Sequence, residues 1–86
     1  YVAGHFNAGL LYLELDSLQS ALQEFDLVIK NDPLHIRGFF FRGYAQEQLG
    51  NLPAANRDYE VAIRFAPDYE LALAGRARVA AALEKE

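Results

Sequence analysis

Between Asp16 and Asn31 the apolar residues fall at Leu18, Ala21, Leu22, Phe25, Val28 and Ile29. That three-four alternation lines one face of an α-helix. A second stripe runs Leu52, Ala55, Tyr59, Ala62 and Ile63, each 34 residues after its counterpart, with Asn56 opposite Leu22 as the one break. The same shift pairs Gly4 with Gly38, Phe6 with Phe40, Gly9 with Gly43, Leu15 with Leu49 and Pro33 with Pro67. Residues 4–33 aligned on 38–67 give eight identities in thirty pairs, where ordinary composition gives roughly two. The chain is an internal duplication.

Punctuation divides each unit into a helix pair. Asp16-Ser17 and Gly50-Asn51 interrupt the pattern in mid-unit and offer Ser17 and Asn51 as N-caps, while Pro53 is tolerated in a first turn. Pro33 and Pro67 close the units, because the residue before a proline is pushed out of the α region. The spacing predicts helices over about 2–15, 18–31, 36–49, 52–65 and 69–84. An all-α chain of two helix-turn-helix repeats, about 2–34 and 35–68, followed by one helix, is expected. Whether that helix is a cap or half of a further repeat stays open.

At 86 residues and 52% hydrophobic, the chain is excluded from the disordered class and allows one small domain. Its lack of cysteine removes disulfides, thiolate metal sites and cysteine nucleophiles, and leaves the compartment open. The net charge is -4, concentrated in residues 1–34, where Glu14, Asp16, Glu24, Asp26 and Asp32 face only Lys30. Nucleic acid is not an expected partner of such a surface. The segment also contains no stretch with the length of a membrane span, and it opens on Tyr1 rather than Met, as a piece of a longer protein would. His5 and His35 lack further ligands at metal-binding spacing, and Glu14, Asp16 and Glu47 read as solvated or cap-related acids. Neither a Gly-rich phosphate loop nor a nucleophile elbow is present, so no catalytic role and no cofactor are expected.

A period of 34 with two helices per unit and small residues at set places is the signature of the tetratricopeptide repeat. The chain resembles that family over essentially its whole length. Gly9, Tyr12, Ala21, Phe25 and Pro33 carry the resemblance in the first unit, and Phe39, Gly43, Gly50, Ala55, Tyr59, Ala62 and Pro67 in the second, within the strings RGYAQEQLGN and AIRFAPDY. Departures are His5 and Gln46, where large apolar or aromatic residues are usual, and a third unit reduced to Leu73, Ala77 and Leu83 on one helix. The resemblance implies an α-α superhelix whose concave surface grips a peptide or helix.

Gly9, Leu11, Tyr12 and Leu15 are expected on one side of the first helix and Phe6, Leu10 and Leu13 on the other. Likewise Gly43, Ala45 and Leu49 are expected in the core, with Phe40 and Tyr44 opposite. Of the run Phe39-Phe40-Phe41, Phe39 is expected in the core, Phe40 in the groove and Phe41 at the edge between units. The expected partner groove is therefore Phe6, Leu10, Leu13, Phe40, Tyr44 and Leu71, flanked by the cations Arg37 and Arg78. A subset of the family holds chaperone C-termini through Lys, Asn and Arg on this face. Apolar Phe6, Leu10 and Tyr44 occupy those inward places, so carboxylate capture of that kind is not expected. Two readings stand for the aromatic face: a groove for an apolar peptide or amphipathic helix, giving an adaptor, or packing and self-association, in which a second copy or another helix also covers the largely apolar last helix. A base-stacking RNA surface is a third, weaker reading.

Overall fold

The computed structural model describes residues 1–85. Five helices follow in order: α1 (Val2–Glu14), α2 (Leu18–Asn31), α3 (Ile36–Gln48), α4 (Leu52–Phe65) and α5 (Glu70–Glu84). Every expected boundary lies within one residue of the observed one. The pairs α1/α2 and α3/α4 pack as hairpins, α2 then packs on α3, and α4 on α5. Lighter contacts join α1 to α3 and α3 to α5, while among the described residues α2 and α4 do not meet. Thus α1, α3 and α5 form one layer and α2 and α4 the other, within 38 × 26 × 18 Å.

The hairpin turns repeat at 34-residue spacing as well. Asp16 and Gly50 take φ of 58° and 84°, the left-handed residue that ends a helix. Behind them Ser17 N–H donates to the Tyr12 carbonyl at 2.8 Å and Asn51 N–H to the Gln46 carbonyl at 2.9 Å. Ser17 and Asn51 occupy the N-cap positions, yet neither makes a side-chain capping hydrogen bond. His35 does cap: its Nδ1 accepts from the Gly38 N–H at 2.9 Å at the start of α3.

One cluster of core residues comprises Phe6, Ala21, Phe25 and Val28, and the other Phe40, Ala55, Tyr59, Ala62, Ala72 and Val79. Phe41 packs against both, as expected of an edge residue, stacking on Phe25 at 5.9 Å and meeting Phe6 edge-on at 5.7 Å. Phe25 and Tyr59, with no exposed surface, fill the space that glycine leaves on the neighbouring helix. A Cβ on Gly9 would lie 2.5 Å from the Phe25 ring, and one on Gly75 would lie 2.6 Å from that of Tyr59. Arg42 spans both units, giving Nε and Nη2 to Asp58 at 2.8 Å each and Nη1 to Asp26 at 3.2 Å. The two-pronged bond compensates the burial of Asp58, which is 5% exposed.

The sidedness expected for α1 is corrected. Phe6 is only 5% exposed, whereas Leu11 and Leu15 are 55% and 63% exposed and Tyr12 36%. Two causes combine, the angular position of each residue on α1 and the stacking of units. At about 100° per residue Phe6 lies roughly 60° from Gly9 and Leu11 roughly 200° from it, so the period itself separates them. The presence of a neighbouring helix then decides whether the Leu11 side is covered. Thirty-four residues on from Leu11, Ala45 is fully buried because α2 and α4 flank α3, whereas α1 has one neighbour in the other layer, α2, among the described residues.

Candidate interaction surface

Leu10, Leu13 and Glu14 fall at i, i+3 and i+4 on α1, so one turn presents all three on the same strip. Opposite them, α3 presents Phe41 and Tyr44, again three residues apart. Together the five line an open cleft of about 420 Å³ between the two helices. Four walls are apolar or aromatic and half-buried, and the fifth is an exposed carboxylate. Of the residues expected in a groove, Leu10, Leu13 and Tyr44 are brought together here. Phe41 and Glu14 are additions. Phe41 was read as the edge between units, which is where the cleft opens, and the i+4 relation of Glu14 to Leu10 was the signal for its place.

Phe40 is a correction. It is 6% exposed, its ring 4.8 Å from Phe41, 5.7 Å from Tyr59 and 5.2 Å from Tyr69, so it fills the junction of α3, α4 and α5 instead of facing a partner. Phe6 is likewise a packing residue, held by Phe25, Phe41 and His35 at centroid distances of 6.0, 5.7 and 5.0 Å. Phe39, expected in the core, is half-buried beneath the Arg42 guanidinium at 5.6 Å. Leu71 is 59% exposed and stands on α5, apart from the cleft walls. Further along α5, Ala74, Ala77, Ala80 and Ala81 are also exposed.

The two expected cations differ in what they are free to do. Arg78 Nε and Nη2 reach Glu47 Oε2 and Oε1 at 2.9 and 3.0 Å, so its charge is already matched. The same Oε1 accepts the Tyr59 hydroxyl at 2.6 Å, which joins α3, α4 and α5 at one carboxylate. Burial alone would raise the Glu47 pKa, but the bonds from Arg78 and Tyr59 outweigh it and hold the group below its ordinary 4.5. Burial, with the Glu47 bond, pushes the Tyr59 hydroxyl pKa well up, so it stays a donor. Arg37 is exposed at the other end of α3 and lies over the Phe6 ring, 4.8 Å from its centroid.

Nothing here assembles a reaction centre from the histidines. His5 Nδ1 lies 2.9 Å from Glu24 Oε1, joining α1 to α2, and His35 is the cap of α3. Among the described residues no group of three or more His, Cys, Asp or Glu is arranged to hold a metal, and no helix is long and apolar enough to cross a membrane. The Gln46 Oε1 is buried without a hydrogen-bond partner among the described residues, at a position where the family favours an aromatic ring.

Comparison with solved structures decides the architecture. The TPR2B domain of yeast Sti1, in complex with pHsp70, superposes with a TM-score of 0.93 at 24% identity. The first TPR of Spaghetti (RPAP3), bound to the HSP90 peptide SRMEEVD, gives 0.96 at 21% identity. Each comparison covers 98% of this chain and 67% of the other. The fold is that of the tetratricopeptide repeat. Among curated proteins, a human protein described as FK506-binding protein-like is 35% identical over 63 residues, or 73% of this chain and 18% of its own length. No family model matches the chain. The cleft lies between α1 and α3, within the layer that these helices form with α5.

Proposed function

We propose that this tetratricopeptide segment is a non-catalytic protein-interaction module of adaptor or scaffold type, whose cleft between α1 and α3 seats an apolar segment of another protein, either a peptide or an amphipathic helix. The observation that carries the reading is the cleft itself: Leu10, Leu13, Phe41 and Tyr44 are half-buried and leave apolar surface open between two helices. Half-buried aromatic and aliphatic walls are what an anchoring side chain requires for desolvation, and such anchors carry most of the energy of an interface. The structural neighbours were solved with chaperone peptides, which supports a peptide-sized occupant. On this reading two repeats, about 2–34 and 35–68, and an added helix, about 69–84, form a single domain.

The test is calorimetric titration of a capped amphipathic peptide with leucines at helical spacing. Leu13→Ala/Tyr44→Ala is expected to weaken binding roughly tenfold or more, since two central anchors are cut back. Unchanged affinity in a folded double variant removes the cleft assignment. A second reading, self-association, is favoured by one observation: Leu11, Tyr12 and Leu15 form an exposed apolar strip on α1. Sedimentation across a concentration series separates the two, because a Leu11→Lys/Leu15→Lys variant lowers the mass of a self-associated species and leaves the peptide affinity alone.

A further inference from the structure

We infer that the cleft selects a cationic apolar ligand, a protein segment with an aliphatic or aromatic anchor followed closely by Lys or Arg; the inference rests on the cleft being the binding surface. Glu14 is the one charged wall of the cleft, and among the described residues it has neither an ion-pair nor a hydrogen-bond partner. The two cations expected beside the groove are engaged elsewhere. Arg78 is held two-pronged by Glu47, and Arg37 sits over Phe6 at the beginning of α3, one helix length from the turn that carries Glu14.

A second, independent observation has the same sign. Glu14 ends α1, and the cleft lies toward the C-terminal halves of α1 and α3. Carbonyls at a helix C-terminus carry partial negative charge that a basic side chain in the last turn normally offsets. Two helices have that residue, Lys30 on α2 and Arg64 on α4. The cleft helices α1 and α3 have none in their last turns. Thus α2 and α4 carry a cation at their own ends, whereas the cleft mouth keeps a carboxylate and two helix termini whose carbonyls are capped by backbone N–H groups alone, with no basic side chain. A ligand cation supplies the missing charge. A free carboxylate or acidic flank on the ligand meets repulsion at the same place, so an acidic peptide such as the SRMEEVD bound to one structural neighbour is the wrong class for this cleft.

The experiment uses two capped peptides with one leucine anchor pattern, one flanked by Lys and one by Glu at matched positions, titrated into the wild-type protein, Glu14→Gln and Glu14→Lys at low and high salt. The Lys peptide is expected to bind roughly two- to fivefold more tightly to wild type, because an exposed pair contributes modestly. Most of that preference disappears in Glu14→Gln, inverts in Glu14→Lys and shrinks at high salt. Equal binding of both peptides, with no response to either Glu14 variant but with loss on Leu13→Ala/Tyr44→Ala, overturns the charge selectivity and leaves the cleft in place. Binding of neither peptide, or binding that ignores Leu13→Ala/Tyr44→Ala, overturns the cleft and this inference with it.

Discussion

Adding one methyl group at two glycines of the same helix should move stability in opposite directions. Gly4 and Gly9 both lie in α1 with right-handed backbone, so replacing either with alanine removes the same helix penalty, about 0.5–1 kcal/mol. At Gly4 an added Cβ meets nothing within 4 Å, and the full gain remains. At Gly9 it meets three atoms of the Phe25 ring, at 2.5, 2.7 and 2.9 Å. Ordinary carbon contact is about 3.5–4.0 Å, so the overlap approaches about 1 Å. The ring has little room to yield, being fully buried and in contact with Phe6 and Phe41. Overpacking of this degree costs about 3 kcal/mol, the upper end of the usual range. The net is a loss of about 2 kcal/mol for Gly9→Ala against a gain of about 0.5 kcal/mol for Gly4→Ala. In urea, with a slope of about 1–2 kcal/mol/M for a chain of this size, the Gly9→Ala midpoint falls by about 1–2 M. Adding Phe25→Leu should recover part of the loss, with a coupling of about 1 kcal/mol or more in the double-mutant cycle. If Gly9→Ala is as stable as wild type, or rises with Gly4→Ala, close helix approach is not what glycine provides there.

Three further outcomes rest on the hydrogen bonds and turns of the same fold. Tyr59→Phe removes the hydroxyl bond to Glu47 while Arg78 still holds the carboxylate, so it should cost about 1.5 kcal/mol, the low end for a bond to a charged group; a variant within about 0.5 kcal/mol of wild type in denaturant titration contradicts this. Because the folded pKa of Glu47 is depressed, its stabilising contribution is present above the ordinary carboxyl value of 4.5 and is lost as pH falls through the lower folded value. Stability measured across that acid window should therefore fall less steeply for Glu47→Gln than for wild type, and parallel curves would contradict it. The left-handed turn residues respond oppositely: Asp16→Gly, at φ 58°, should gain about 0.5 kcal/mol, and Gly50→Ala, at φ 84°, should lose about 1 kcal/mol or more, both read from thermal midpoints. Equal shifts of one sign would show that backbone strain does not govern these turns.

Much of the fold was legible because its unit is written twice. The stripe Leu18 to Ile29, its copy Leu52 to Ile63, and the proline and glycine punctuation place every helix, since each depends on residues a few positions apart. The residue types at Gly9, Gly43, Phe25 and Tyr59 likewise announce close helix pairs, as their steric fit confirms. The candidate site was only half legible. Leu10, Leu13 and Tyr44 could be placed on the groove face, yet Phe40 could not be told from a surface aromatic, because what buries it are Tyr59 and Tyr69, far along the chain.

Charge shows the division most clearly. The sequence determined that Glu14, Glu47, Arg37 and Arg78 exist on the first, third and fifth helices, and that the chain as a whole is acidic. Only the tertiary structure decided that Arg78 is spent on Glu47, 31 residues away, and that Glu14 is left facing open apolar walls. The helical period records which face a side chain occupies, because that is set by bonds within one turn. It does not record which cation reaches which carboxylate, because that is set by how three helices from different parts of the chain come to lie side by side.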